Sequence, residues 1–444
     1  MDNQGVLGRI KEDKVRYIQL QFTDIFGIVK SVTIPAEHAQ AALEQGTWFD
    51  GSSIQGFARI YESDMYLKPD ISTYAVIPWL SMEEKNTARF ICDIHNPDGT
   101  FFEGDPRYIL KKALKEAELM GYEFKTGPEL EFFLFRKDNG KITPLPHDMA
   151  GYFDLTTDQA YLIRNEMAEA LGRFGVEVET SHHEVAHGQH EISFRYDNAL
   201  RTADSASTLR FVLKAIAQKN GLHATFMPKP IAGINGSGMH VHQSLFDIHT
   251  GKNAFFDADN KYKLSKIALS FIAGQLMHIK GMCAILSPTV NSYKRLVAGY
   301  EAPVYLSWAR TNRSALMRIP KYSEEKTQAT RVELRSPDPS CNIYLAFAVM
   351  LKAGLDGIKN NLTPPEPVEE DVFGFSDEKL ESLNISTLPH TLWKAIKEMK
   401  ADPFVKETLG EHTYERYIEA KTKEWDSFRM QVTQWELDAY LERY

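Results

Sequence analysis

Four short segments alternate between apolar residues and residues bearing carboxylate, imidazole or guanidinium groups. A period of two suits an extended strand and no helix. In GPELEFFLF (127–135), Glu129 and Glu131 fall on one face and Leu130, Phe132 and Leu134 on the other. Same-side residues two apart on a strand sit about 6.6–6.8 Å from one another. HEISF (190–194) turns Glu191 away from Ile192 and Phe194. GMHVHQS (238–244) puts His240, His242 and Ser244 together, and TRVELRS (330–336) does the same for Arg331, Glu333 and Arg335, with Val332 and Leu334 behind. A half-exposed antiparallel strand alternates in this way without any function. Such faces mostly carry Thr, Ser, Lys and mixed charge, however, whereas carboxylates and imidazoles recur here. Clustered carboxylates repel one another unless a cation lies among them, and oxygen-rich sites with an occasional imidazole suit Mg2+ or Mn2+. Together the segments predict a carboxylate-rich metal cleft.

Arginines supply the complementary charge. Arg295, Arg313, Arg318, Arg331 and Arg335 lie within 41 residues. Any one of them could be an ordinary surface residue, but guanidinium forks grip phosphate and carboxylate bidentately. Cations and several arginines beside one cleft imply a polyphosphate and a carboxylate substrate, since phosphoryl transfer asks the protein mainly for positioning and charge neutralisation. His183-Glu184-Val185-Ala186-His187 matches the HExxH pattern of zinc proteases, which needs both histidines on one helical face. Its flanks are wrong: VEVET upstream is strand-like, Gly188 follows at once, and HEISF resumes a strand. Glu184 reads better as a ligand at a strand end or loop.

The formal net charge of −9 argues against a general nucleic-acid binder. At 444 residues, 43% hydrophobic and 25% charged, the chain can bury a large core in more than one domain. Cys92, Cys283 and Cys341 form no CxxC pair, which suits buried thiols in a reducing compartment. The N-terminal stretch lacks the apolar core of a signal peptide, and the apolar windows 271–286 and 343–358 each hold a lysine and read as buried helices. These features predict a cytoplasmic protein with no membrane association. The first hundred residues look β-rich: a hairpin over 15–22 and 28–35, a helix over 37–45, and strands at 74–77 and 88–93. Helices are expected at 106–120, 158–174, 204–219, 264–282, 342–358 and over most of 388–444, broken at Asp402-Pro403. The turn-rich stretch HNPDGTFFEGDPR sets a domain boundary near Gly104, giving domains 1–104 and 105–444.

Seven segments in one order carry a family resemblance: FDGSSI, GPELEFFLF, SHHEVAHGQHEI, KPIAGINGSGMHVHQSL, NSYKRLVAGYEAP, NRSALMRIP and RVELRSPDPS. They resemble bacterial type I glutamine synthetase over nearly the whole chain. The resemblance implies an α+β fold, with an N-terminal β-grasp domain followed by a catalytic domain whose curved antiparallel sheet is flanked by helices. It implies ATP-dependent ligation of ammonia to the side-chain carboxylate of L-glutamate, giving L-glutamine, ADP and phosphate through a γ-glutamyl phosphate, with two Mg2+ or Mn2+ ions per site. The alternatives are a γ-glutamyl ligase for a polyamine or other amine, which an intact Asp50 and Glu301 disfavour, and a non-catalytic regulator-binding relative, which should have lost metal ligands.

By the resemblance, Glu131, Glu184 and Glu191 hold the first metal, and Glu129, His240 and Glu333 the second. Asn235, Gly236, Arg295, Glu301 and Arg335 meet glutamate or its phosphorylated form. Glu179, His242, Ser244, Arg313 and Arg331 meet ATP, and Arg313 is also counted as catalytic. Asp50 takes a proton from ammonium, and Glu301 belongs to a flap that closes over the intermediate. Alone, Asp50-Gly51 would read only as a turn. The implied assembly is a homododecamer of two hexameric rings, with Asp50 donated by the neighbouring subunit. No match to the adenylylated tyrosine loop of the longer subtype is present. The chain therefore resembles the shorter subtype, which glutamine inhibits through a position matched by Arg59 and which binds transcriptional regulators in some lineages. No direct nucleic-acid binding is expected.

Overall fold

The computed structural model of the protein describes residues 2–444 apart from 53, 55–63, 82–84, 139–140, 298–301 and 324. Arg59 and Glu301 lie outside the described residues.

The N-terminal part opens with a helix that the sequence reading did not predict, α1 (Asn3–Glu12), whose first turn is capped by the Asp2 carboxylate. Strands β1 (Val15–Thr23) and β2 (Val29–Pro35) form the expected hairpin, with Thr23 opposite Val29. Helix α2 (Ala39–Gln45) stops at Gly46, whose φ of 81° needs glycine. Three further strands, β3 (Thr47–Asp50), β4 (Asp64–Val76) and β5 (Asn86–His95), complete a sheet in the order β2-β1-β5-β4-β3. β4 is far longer than the predicted strand at 74–77 because Pro69 masks its first half as a turn. β3 pairs only residues 64–67 of β4, so Pro69 lies beyond its reach and no ladder bond on that side needs the missing N–H.

Helix α3 (Pro106–Leu119) begins as its sequence dictates, with Asp105 as cap and Pro106 in the first turn. Central to the rest is β6 (Tyr122–Asp138), which pairs with β7 (Lys141–Pro146), β9 (Gln189–Phe194), β10 (Asp197–Asn198), β11 (Leu222–Thr225) and β12 (Met239–Asp247). β8 (Val178–His183) extends the sheet beyond β9. On the other side come β15 (Val332–Leu334), β14 (Ala315–Arg318) and β13 (Tyr305–Ala309), the last pairing in parallel with β14. Helices α4 (Tyr161–Arg173) and α5 (Ala199–Lys219) pack near one flank. α5 starts earlier than predicted because Asn198 caps it. The C-terminal region is helical with its break at Asp402, where Pro403 opens a new helix.

Two apolar helices form the inner layer, α6 (Lys266–Leu286) and α8 (Ile343–Lys359), with α7, a single turn at Ser292–Arg295, between them in the chain. α6 is the one described helix long and apolar enough to cross a membrane, and 72% of that window is buried inside the fold. α6 and α8 touch backbone to backbone. A Cβ on Gly274 would lie 2.1 Å from the Ala353 carbonyl oxygen, and one on Gly357 would lie 2.0 Å from that of Ser270. All three cysteines are buried free thiols.

The N-terminal sheet is joined to helices α3 and α5 through Arg107. Its Nη1 donates to Asp93 Oδ1 at 2.7 Å, its Nη2 to Asp70 Oδ2 at 2.7 Å, and its Nε to Asp204 Oδ1 at 3.0 Å. Asp70 and Asp93 belong to the N-terminal sheet and Asp204 to α5. Paired buried charge of this kind is costly to break from one side.

The glycine contact gives a direct test. Gly357→Ala should lower the urea midpoint by an amount equivalent to about 1–3 kcal/mol, the usual scale of overpacking. Gly8→Ala, where nothing lies within 4 Å of the added methyl, should not lower it. Equal midpoints for the two variants would refute the backbone contact.

Candidate active site

The register of β6 brings the predicted residues together. His240 on β12 lies directly opposite Glu129, and Glu191 on β9 lies opposite Glu131. One step out, His242 faces Glu333 on β15, and Glu333 faces Arg318 on β14. Glu129, His240 and Glu333 present donor atoms all within 4.8 Å of one another. A second such group holds His182, Glu184 and Glu191. The sequence reading grouped Glu131, and not His182, with Glu184 and Glu191. His182 donates from Nε2 to Glu184 Oε1 at 2.8 Å, while Glu131 is held nearby by the Gln189 amide and the Gly238 N–H, each at 2.9 Å. His182 sits opposite Glu191 across β8 and β9, in the same alternation that exposed the other ligands, and this could have found it.

The HExxH segment is not helical. β8 ends at His183, the chain turns, and β9 starts at Gln189. His183 and His187 serve the backbone and a neighbouring carboxylate: His183 Nε2 lies 3.0 Å from Asp148 Oδ1 and His187 Nδ1 lies 2.9 Å from the Ala150 carbonyl. Asp148 also accepts the N–H groups of Gly188 and Gln159, so it pins the turn that presents Glu184. A further buried trio, His147, Asp148 and His190, lies behind this turn. Arg164 donates to His190 Nδ1 at 2.9 Å, so the proton of that ring sits on Nε2 and leaves no lone pair there for a metal.

The two groups differ electrically. Burial pushes Glu129 towards protonation, but hydrogen bonds from His240 and His242 win and hold it well below the usual carboxylate range. Glu333 is lowered despite its burial, by His242, His240 and the arginines Arg318 and Arg335. Burial pushes Glu131 up to about 8, with Glu184 adding to the rise. Glu191 is raised well above its ordinary value by burial and by Glu129, Glu131 and Glu184. Buried carboxylates pushed up by one another call for a cation, and the donor sets, carboxylate oxygens with one imidazole each, suit Mg2+ or Mn2+.

Beside the Glu129 group lies a cavity of about 560 Å3 whose lining includes Glu179, His242, Ser244 and Arg331. Arg331 Nε donates to His242 Nδ1 at 3.3 Å, which leaves Nε2 of His242 as the donor to Glu129 Oε1 at 2.9 Å. This relay ties the cavity to the first carboxylate. Arg313 is exposed and does not line that cavity; its carbonyl accepts a hydrogen bond from Arg335 Nη1. Arg295 is buried and donates to the carbonyls of Ser336 at 2.9 Å and Arg335 at 3.1 Å. The 235–238 loop packs against it: a Cβ on Gly236 would meet the Pro228 carbonyl at 2.3 Å, and one on Gly238 would meet Arg295 Nη2 at 2.5 Å. Asn235 is half-buried on the same loop. Asp50 stands apart, at the end of β3 on the other sheet, where its carboxylate accepts the Ser52 N–H at 2.8 Å.

With this geometry in hand, comparison with known proteins is decisive. Residues 103–440 match the family model described as "Glutamine synthetase, catalytic domain", and residues 14–97 match "Glutamine synthetase, beta-Grasp domain". The chain belongs to the glutamine synthetase family. The glutamine synthetase of Clostridium saccharobutylicum is 52% identical over 443 residues, covering 99% of each chain. That of Thermotoga maritima is 53% identical over 435 residues, covering 97% of this chain and 98% of its own. A solved structure of GmaS in complex with ADP superposes with a TM-score of 0.87 at 31% identity, covering 98% of this chain and 99% of that one. The fold is thus the family's: a β-grasp domain and a catalytic domain of sheet and helices.

The electrostatics predict how cations bind. Glu129→Gln should weaken one Mn2+ site and Glu131→Gln the other, and unchanged two-site binding in both variants would refute the division. Because Glu131 and Glu191 hold protons that a cation must displace, affinity at their group should tighten as pH rises towards about 8, with proton release that calorimetry in two buffers can count.

Proposed function

We propose that the protein ligates ammonia to the side-chain carboxylate of L-glutamate, with ATP converted to ADP and phosphate. The observation that carries this reading is the adjacency of the two carboxylate–imidazole groups on one sheet face, with the Glu129–His242–Arg331 relay leading into the neighbouring cavity. The half-identical relatives named glutamine synthetase support it.

In this reading ATP occupies the cavity beside Glu179, His242, Ser244 and Arg331, and Arg313 reaches its phosphates. Glutamate lies across the Asn235-Gly236 loop, with Arg295 and Arg335 directed to its carboxylate and phosphoryl oxygens. Two divalent cations, Mg2+ or Mn2+, fit Glu131, Glu184 and Glu191, joined by His182, and Glu129, His240 and Glu333. When bound they supply charge neutralisation between phosphate and carboxylate. Arg335 and Arg331 add fixed positive charge where the transferred phosphoryl group develops negative charge. The γ-glutamyl phosphate so formed is attacked by ammonia, after Asp50 has taken a proton from ammonium. Glu301 keeps water from the same intermediate. In the same reading Asp50, at the end of β3, is delivered by a neighbouring subunit of a dodecamer, which rests on the family resemblance. Two domains meeting near Gly104, cytoplasmic location, glutamine feedback through Arg59 and a transcriptional regulator as partner complete the proposal, each resting on the sequence.

ATP-dependent phosphate release with glutamate is the test, comparing ammonium with a panel of amines. Ammonium should be preferred; a faster amine would transfer the activity to another γ-glutamyl ligation, and no release with any would remove catalysis. Asp50→Ala should slow turnover by roughly 10²–10⁴, the scale of a positioned acid–base group, and the defect should ease as pH rises and free ammonia replaces ammonium. Wild-type turnover at neutral pH would remove Asp50 from the mechanism.

A further inference from the structure

A second cavity, of about 790 Å3, opens between the N-terminal sheet and the catalytic domain, away from the carboxylate groups. Its walls come from α1, β4 and β5 on one side and from the end of α4 and the start of α5 on the other. Five arginines line it (Arg9, Arg89, Arg107, Arg173 and Arg201) against three aspartates (Asp13, Asp70 and Asp204), in a chain whose overall charge is −9.

The aspartates are already engaged. Asp70 and Asp204 grip Arg107, and Asp13 accepts the Tyr74 hydroxyl at 2.7 Å. Arg201 pairs with Asp197 at 3.1 Å. Arg89 is different. It is only 5% exposed, and its hydrogen-bond partners are neutral: Nη2 donates to Thr208 Oγ1 at 3.0 Å and Nη1 to Gln21 Oε1 at 3.5 Å. Its Nε has no partner, and its guanidinium lies 5.0 Å from the centre of the Phe174 ring. Burial lowers the affinity of Arg89 for its proton, with its pKa at about 10, the direction expected of a cation short of counter-charge. Asp204 offsets this in part, but both of its oxygens are held by Arg107, and a buried cation with no carboxylate bonded to it is costly unless something anionic reaches it. Arg173 lines the same cavity at its exposed edge, at the end of α4.

We propose that this interdomain cavity binds a small oxyanion, a carboxylate or phosphate metabolite, with Arg89 at its floor and Arg173 at its mouth. The site does not depend on the ligase reading, because binding can be measured without turnover. An occupant touches both halves of the chain, so it braces the N-terminal sheet, which carries Asp50, against the catalytic domain.

Inorganic phosphate and succinate, titrated separately into the full-length protein by calorimetry and followed by thermal unfolding, are the two arms. At least one should bind and raise Tm, and which one does so assigns the headgroup. Arg89→Gln and Arg173→Gln should each weaken that binding by about tenfold or more, the loss of one charge-assisted contact. Arg173 is exposed, so Arg173→Gln keeps the protein folded if burial makes the Arg89 variant fail, and its phosphate release with neither phosphate nor succinate added should equal the wild type. Failure of both anions to bind overturns the proposal. So does binding that survives Arg173→Gln unchanged, since it would then belong to the carboxylate cleft or to no defined site.

Discussion

Glu129 and Glu131 face the cleft because β6 keeps one register against β12 and β9 at once. A slip of β6 by a single residue would turn Glu129 and Glu131 to the opposite face, away from His240 on β12 and Glu191 on β9. What forbids the slip is the other face: Leu130, Phe132 and Leu134 are wholly buried, and exposing each would cost about 1.5–3 kcal/mol. The apolar side of the strand therefore sets the position of the polar side, and every distance in the site inherits that setting.

The same strand shows how neighbouring carboxylates acquire different characters. Glu129 has two imidazoles within reach and is held ionised, whereas Glu131 has amide donors, burial and a nearby Glu184, and its proton is retained to about pH 8. One group is ready-made as an anion; the other becomes one only when positive charge arrives. Side-by-side residues of the same type thus give a cleft with a permanently charged half, joined to the Arg331 cavity, and a half that responds to its occupant.

Much of this was legible in the sequence because strand alternation is a local signal. Glu129, Glu131, Glu191, His240 and Glu333 could be selected by face alone, and the structure brings His240 and Glu333 to Glu129 and sets Glu191 opposite Glu131. His182 was missed because the HHE run invited a choice between readings of the motif, and its partner across the ladder was not considered. The Arg107 junction was beyond reach for a different reason: its three carboxylates lie 14, 37 and 97 residues away, and no periodicity links them. β4 was shortened by Pro69, whose tolerance depends on how far the neighbouring strand extends. Asp50 gave no local signal at all, since its segment reads as an ordinary turn and its significance rests on family resemblance.

The close α6–α8 contact has a consequence for synthesis. α6 has the length and apolarity of a membrane span, and its cover α8 lies well downstream in the chain. At ~5–20 residues per second, α8 leaves the ribosome several seconds after α6. For that interval a helix largely hidden in the finished protein is bare, and its glycine-marked face is open to chaperones or insertion machinery before its proper neighbour exists.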